Sequence, residues 1–366
     1  MLRNYGLHTR RISLKQEMEI KKNKNNFDFL RFFAALLVIF SHSFALLFGK
    51  QDPYVNLTGV MTFGTLAVII FFVISGFLIS KSWDSSENIM DYAKKRVLRI
   101  YPAIFIVIIL TIFILGPLVT TLTPIEYFSN PKTFLYLINI SIIYLYETLP
   151  GVFFDNPYTN SVNGSLWTLP IELECYILTA LFGIIPFFKK RFSTFIIVLF
   201  FIVLDFYFRE KGISFFAYFF IGRLYYLYRE KFILNKYLFI ILALILLFSM
   251  SFKITYYLHF LILPYLIFYS IYRFRFLNNW GKYGDFSYGT YIYAFPVQQT
   301  LIYFFRNNLT IFSLFIFSSI ITFIFAFLSW HVVEKNALKL KKIKIRQYFK
   351  GLIFNKNEDI NNFSKL

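Results

Sequence analysis

The chain is short of charge, shorter still of acid, and has almost no cysteine. Charged residues make up 16% of its 366 positions, against about a quarter in ordinary soluble domains. Asp and Glu together number 19, against 38 Lys and Arg. So little charge, spread between long apolar runs, excludes a soluble enzyme with a simple anchor. The single cysteine, Cys175, excludes an intramolecular disulfide and a cysteine metal cluster. The four histidines, His8, His42, His259 and His331, are scattered without metal-ligand spacing such as HExxH, so no metal is expected.

What is present is apolar and aromatic. Hydrophobic residues reach 58%, with 51 Phe and 27 Tyr, and the mean hydropathy is +0.59. Apolar runs recur from 29 to 331 and leave no room for a soluble domain of useful size. The expectation is an all-α polytopic membrane protein built as one bundle. Ten spans are read, at 29–48, 62–82, 100–119, 167–188, 192–208, 212–228, 237–252, 255–272, 286–305 and 310–331. A further apolar piece, 133–146, is short for a crossing. Counting it would place the acidic, Lys/Arg-free stretch 147–166 inside and the basic tail outside, so it is read as re-entrant or interfacial.

The net charge of +19 suits nucleic acid in a soluble protein. Here the basic residues gather at the chain ends and in short loops, which is how membrane topology is encoded. Residues 1–26 carry seven Lys/Arg against two Glu, and 335–366 carry nine Lys/Arg. Lys81, Lys94, Lys95, Arg96 and Arg99 fall in one loop, 81–99; Lys189, Lys190 and Arg191 in another; the stretch 229–236 is a third; and Arg273, Arg275 and Lys282 fall in a fourth, 273–282. Both termini are therefore expected in the cytoplasm, and no nucleic-acid partner is expected. Arg209, Lys211, Lys253 and Arg306 are exceptions on the outer side. No signal peptide is apparent. The division expected is a basic segment 1–26, a membrane domain 27–335 and a basic tail 336–366.

The first span holds the leading candidates. In FDFLRFFAALLVIFSHSF, 27–44, Arg31 and His42 stand in an otherwise apolar segment. Eleven residues is about three turns, so both lie on one helix side, roughly 16 Å apart. A cation and an imidazole inside a span are costly and point to function; for Arg31 the alternative is snorkelling to the headgroups. Ser75-Gly76, in FFVISGFLIS, lets a helix or ligand approach closely. Arg96 and Arg99, in KKRVLRIYPAIF, are three apart and share a helix face at the membrane edge, where two guanidinium forks suit phosphate. The alternative is a plain positive-inside anchor.

In SLWTLPIELECYI, Glu172 and Glu174 are about 200° apart around a helix and cannot share a pocket. Counting from the expected span ends places Glu172 and His42 both about 10 Å below the outer surface. They would meet if their spans are neighbours. The stretch GDFSYGTYIYAFPVQQ offers Ser287, Tyr288 and Tyr291 near the inner end of a span. Glu334, beside Lys335, reads as a solvated helix end, His259 and His331 as interfacial, and Arg223 as a charge inside a span.

Taken in order, these stretches resemble the acyltransferase-3 family of integral membrane acyltransferases. The resemblance rests on Arg31 followed after ten residues by His42, on FFVISGF, on Arg96-x-x-Arg99 with Pro102, on Trp167-x-Leu169-x-Ile171-Glu172, and on Ser287-Tyr288-x-x-Tyr291. The close SWHVVEK matches less well, with Asn336 where the family has Pro. Ala294 stands where many members have His.

The resemblance implies transfer of an acyl group, most simply acetyl, from cytoplasmic acetyl-CoA or another acyl-CoA. The acceptor it implies is a hydroxyl on a glycan or lipid-linked sugar, and the setting a bacterial inner membrane. It implies a catalytic set of His42, Glu172 and Arg31, with Glu172 orienting His42. The donor-binding set would be Arg96, Arg99, Ser75 and Tyr288. With 32 residues after Glu334, the chain is expected to act alone or with a separate glycan-assembly enzyme. A transporter or flippase for a polar or lipid-linked sugar is the alternative that buried His, Arg and Glu also suit.

Overall fold

The computed structural model describes residues 13–21, 25–189, 191–210, 212–250, 252, 254–274 and 278–342. His8, Lys190, Lys211, Lys253, Arg275, most of the segment 1–26 and the tail beyond 342 lie outside the described residues. Among those described the chain is helical, with no strand beyond two isolated bridges.

Ten principal helices follow in order: α1 Phe27–Phe48, α2 Phe63–Asp84, α3 Ile89–Leu110, α4 Thr168–Ile184, α5 Arg191–Phe208, α6 Ile213–Leu227, α7 Lys236–Ser249, α8 Thr255–Arg273, α9 Ser287–Phe305 and α10 Ile311–Ser329. Each overlaps a stretch read as a span, but α3 begins at Ile89, ahead of the span read at 100–119, so Lys94, Lys95, Arg96 and Arg99, read as a loop, lie on a helix. Among the described residues six helical segments are long and apolar enough to cross a membrane: Phe27–Phe48, Phe63–Asp84, Ile89–Val119, Gly164–Ile184, Arg191–Phe208 and Ile311–Lys339. α6 and α7 are shorter apolar helices. The piece read as re-entrant is helical only over 131–141 and stops where Ile142 takes a left-handed φ of +53°. Eleven such residues reach about 20 Å, short of a core about 30 Å thick.

Local chemistry sets the turns. α1 ends at Gly49, whose φ of +65° lets its N–H reach back to Ala45. α2 begins at Thr62, whose hydroxyl accepts from the Thr65 N–H at 3.0 Å. Between them Asp52 accepts from Ser41 Oγ at 2.5 Å, the Phe63 N–H at 2.8 Å and the Tyr54 N–H at 3.0 Å. One carboxylate thus pins the α1–α2 connection.

The bundle centres on α2. Its backbone meets α6 at Gly76 and Gly222. A Cβ on Gly76 would lie 1.8 Å from the Phe219 carbonyl oxygen, and one on Gly222 2.1 Å from that of Val73. Small residues are what permit such an approach. α1 packs on α2 and α9, and α9 on α10. Gln298 of α9 donates to the Ile39 carbonyl and to Ser43 Oγ, both at 2.9 Å, locking α9 to α1. The abundant Phe works at these seams: Phe201 of α5 stacks on Phe216 and Phe220 of α6.

The segment 147–163 folds down over α9. Gln299 donates to the Thr159 and Ser161 carbonyls at 2.8 Å, and Asn163 to the Ile292 carbonyl at 2.9 Å. This loop decides how deep α4 begins.

Gly76→Ala forces a methyl into the α6 backbone, where no side-chain rotation relieves it. We expect a loss of about 1–3 kcal/mol or more, read as a lowered thermal midpoint in detergent. An unchanged midpoint would mean that α2 and α6 can separate at little cost.

Candidate active site

The centre of the site is one carboxylate shared by two arginines. Asp285 lies in the loop just before α9. Its Oδ2 accepts from Arg31 Nη1 of α1 at 2.8 Å and from Arg99 Nη2 of α3 at 2.6 Å. Its Oδ1 accepts from Ser287 Oγ at 2.5 Å. Arg99 Nη1 also lies 3.6 Å from Glu334 Oε2, and Ser329 Oγ donates to Glu334 Oε1 at 3.0 Å. Four helices, α1, α3, α9 and α10 with its continuation, thereby converge on one ion cluster. Burial alone would raise the Asp285 carboxyl, but the Arg31 and Arg99 guanidinium groups and Ser287 hold it well below the usual carboxylate range.

Above this cluster a narrow cavity of about 60 Å³ runs between the helices. Its lining includes Arg31, Arg99, Ser75, Glu172, Tyr176 and Tyr288. Glu172 Oε1 accepts from Ser75 Oγ at 3.1 Å and from the Tyr176 hydroxyl, one turn along α4. The Tyr288 hydroxyl donates to the Ile100 carbonyl at 3.1 Å, and its ring lies beneath Arg99. Arg31, Arg99, Ser75, Glu172 and Tyr288 therefore share one cavity. Glu174 is exposed and outside it, as the 200° offset requires.

His42 lines a second, wider cavity of about 950 Å³, together with Asp52, Ser165, Trp167, Asp205 and Tyr256. Its ring meets Phe295 edge-on at 5.3 Å. Val68 and Tyr291 line both cavities. Tyr291 is held there by a 2.7 Å hydrogen bond to Thr168. The two chambers thus adjoin at Val68 and Tyr291, with Arg31 and Arg99 lining the narrow one and His42 the wide one.

The structure does not place Glu172 at the depth of His42. A Cβ on Gly164 would touch the Phe295 ring at 2.8 Å, so Gly164 already stands at the level of His42. Glu172 is eight residues further down, about 12 Å or more. The α2 helix agrees. Gly64 lies against Ser41, and Ser75, the partner of Glu172, is eleven residues below it, about 16 Å. That is the depth of Arg31. The counting failed because it took the start of α4 as a free outer end, whereas the 147–163 loop is hydrogen-bonded onto α9 over it and the 3-10 turn Gly164–Trp167 leads in.

Other expectations also change. Glu334 is not a solvated helix end but 2% exposed within the ion cluster. His259, near the start of α8, is fully buried among protein groups, with Tyr54 on Nε2 at 3.0 Å and the Thr255 carbonyl on Nδ1 at 2.5 Å. Arg96 and Arg99 share a helix but part company in their contacts. Arg96 donates to Ser82 Oγ at 3.0 Å and lies over the rings of Tyr92 and Tyr176. Arg223 is buried beside Thr194 of α5, away from both cavities. Asp285 was not singled out from the sequence. The available signal was its position two residues before Ser287, as an acid facing two arginines that burial would leave uncompensated.

Among the described residues no group of three or more His, Cys, Asp or Glu is arranged to hold a metal ion.

Residues 24–331 match a family model described as an acyltransferase domain, that of the acyltransferase-3 family. An O-acetyl transferase of Shigella phage Sf6 is 40% identical over 178 residues, 48% of this chain and 50% of that protein. Nodulation protein 10 of Rhizobium leguminosarum bv. viciae is 37% identical over 170 residues, 42% of this chain and 43% of that protein. The chain thus spans about half the length of the curated relatives it matches. No solved structure matches.

Asp285→Ala would leave two buried guanidinium groups without their shared counter-ion. We expect a loss of about 3–5 kcal/mol, read by thermal unfolding. Because the folded carboxyl is held low, its contribution is complete above the ordinary carboxylate pKa of about 4 and fades as the pH falls below it. The variant should therefore lose stability most at neutral pH and differ little from wild type in strong acid.

Proposed function

This chain belongs to the acyltransferase-3 family, and on that premise we propose that it is a membrane O-acetyltransferase. The donor is acetyl-CoA from the cytoplasm, and the acceptor is a hydroxyl of a lipid-linked or cell-surface glycan. The single observation that carries the reading is the pair of cavities adjoining at Val68 and Tyr291, with Arg31 and Arg99 lining the narrow one and His42 the wide one.

Each group then has a task. Arg96 meets the donor phosphates at the basic edge of the membrane. The pantetheine arm passes Tyr288, Arg31 and Ser75 along the narrow cavity and brings the thioester towards Tyr291. The acceptor enters the wide cavity, where aromatic faces and hydroxyls suit a sugar. His42 takes the proton of the acceptor hydroxyl as its oxygen attacks the thioester carbonyl. The C–O bond forms, the C–S bond breaks, and the departing thiolate receives a proton. A covalent variant carries the acetyl group on the imidazole first. Glu172 works through Ser75 and Tyr176 to shape the donor passage. Arg31 serves the ion cluster and the passage together.

The proposal extends to topology. All ten helices belong to one bundle, both termini face the cytoplasm, and the residence is a bacterial inner membrane. Residues 27–335 form the acyltransferase unit, with 1–26 and 336–366 as cytoplasmic flanks and a glycan-assembly enzyme as a separate partner. The basic residues Lys95 and Arg96 in the first half of α3 and Arg273 at the end of α8 support this orientation.

The test is transfer of labelled acetyl from acetyl-CoA by purified protein in liposomes, wild type beside His42→Ala. We expect the rate to fall about 10²- to 10⁴-fold. A variant as active as wild type would sink the assignment of His42. Donor-dependent transfer also separates this reading from a transporter.

A further inference from the structure

We propose that Lys341, in the turn Leu340–Lys342, completes with Arg96 a binding site for a phosphate group of the acyl donor. This rests on the donor reading above and adds a residue to it. Lys341 lies beyond the residues that match the family model, which end at 331.

The geometry begins with the end of α10. The chain continues through Trp330–Glu334 and Lys335–Lys339, then folds so that the helix Lys335–Lys339 and the turn Leu340–Lys342 pack on α3. That brings Lys341 to the basic end of α3, where Lys95, Arg96 and Arg99 stand. These cations are not alike in their partners. Lys95 pairs with Asp91 at 2.7 Å, and Arg99 with Asp285 and Glu334. Among the described residues Arg96 and Lys341 have no carboxylate partner, and Arg96 Nε is buried without a hydrogen-bond acceptor. One donor atom inside the protein is left waiting for an oxygen.

A plain topology signal needs no such arrangement. A lysine that only marks the inner face keeps its ammonium group in water. Lys341 is instead drawn in against α3. Burial and the repulsion of Arg96, Arg99 and Lys95, opposed by Asp285, push its ammonium down to about 8. A bound anion would relieve that repulsion. Phosphate suits it, because Arg96 offers a fork and Lys341 a point charge.

The path onward also fits. Arg96 lies over the Tyr176 ring, and Tyr176 lines the narrow donor cavity. A ligand with a charged head at Arg96 and Lys341 and a thin uncharged arm would enter beside Tyr176. Phosphate at a membrane edge can belong to the donor or to a lipid headgroup, and the proposal commits to the donor.

The experiment measures binding of CoA and of pantetheine to the full-length protein in nanodiscs of phosphatidylcholine, and repeats CoA in phosphatidylglycerol. Wild type, Lys341→Ala and Lys341→Arg are compared. In Lys341→Ala we expect CoA affinity to fall about tenfold, pantetheine affinity to hold, and Lys341→Arg to recover most of the loss. Unchanged CoA affinity in Lys341→Ala, or an equal loss for pantetheine, overturns the proposal while leaving the donor reading intact. A difference seen only in phosphatidylglycerol assigns the phosphate to lipid and also overturns it. A wild type that binds neither CoA nor pantetheine overturns the donor reading and this proposal together.

Discussion

A carboxylate caught between two guanidinium groups holds this bundle together where it matters. In an apolar interior an uncompensated charge is far more costly than in water. Arg31 and Arg99 are drawn in where Asp285 accepts from both, with Glu334 behind Arg99. The consequence is geometric as well as energetic. α1, α3, the start of α9 and the continuation of α10 must all bring their charges to one point. The narrow cavity lies directly above that point, and its width follows from how those helices are drawn together.

The second constraint is close backbone approach at Gly76 and Gly222. It sets α2 against α6 and so turns Ser75 towards Glu172 of α4. The carboxylate of Glu172 is satisfied by two hydroxyls, Ser75 and Tyr176. Each buried charge along this passage therefore has its own partners, and a long, thin, mostly uncharged group can lie between them. The wide cavity is different in kind. It is open and lined by aromatic rings and by polar and charged groups, among them Asp52, Asp205 and Arg209. The two adjoin at Val68 and Tyr291, which line both.

Much of the scaffold was legible from residues alone. Apolar runs overlapped every principal helix but missed the polar first half of α3, because hydropathy marks an apolar stretch and not a helix that extends beyond it. The eleven-residue spacing of Arg31 and His42 placed them on one helix side, and the offset of Glu172 and Glu174 separated them. Local arithmetic of this kind depends only on the helical repeat. It also marked Ser75-Gly76 as a place of close approach.

The pairings were another matter. Depth counted from a span's end failed for Glu172, because the loop 147–163 is hydrogen-bonded down onto α9 and carries the start of α4 with it. Asp285 sits 254 positions from Arg31 and 186 from Arg99, and no local pattern relates residues so far apart. Glu334 read as solvated because the sequence shows only its neighbour Lys335, not the arginine that faces it. Periodicity and hydropathy are properties of a segment, and the chain carries them wherever it goes. Which carboxylate neutralises which arginine, and whether His42 shares a chamber with Glu172, are set by helices meeting in three dimensions.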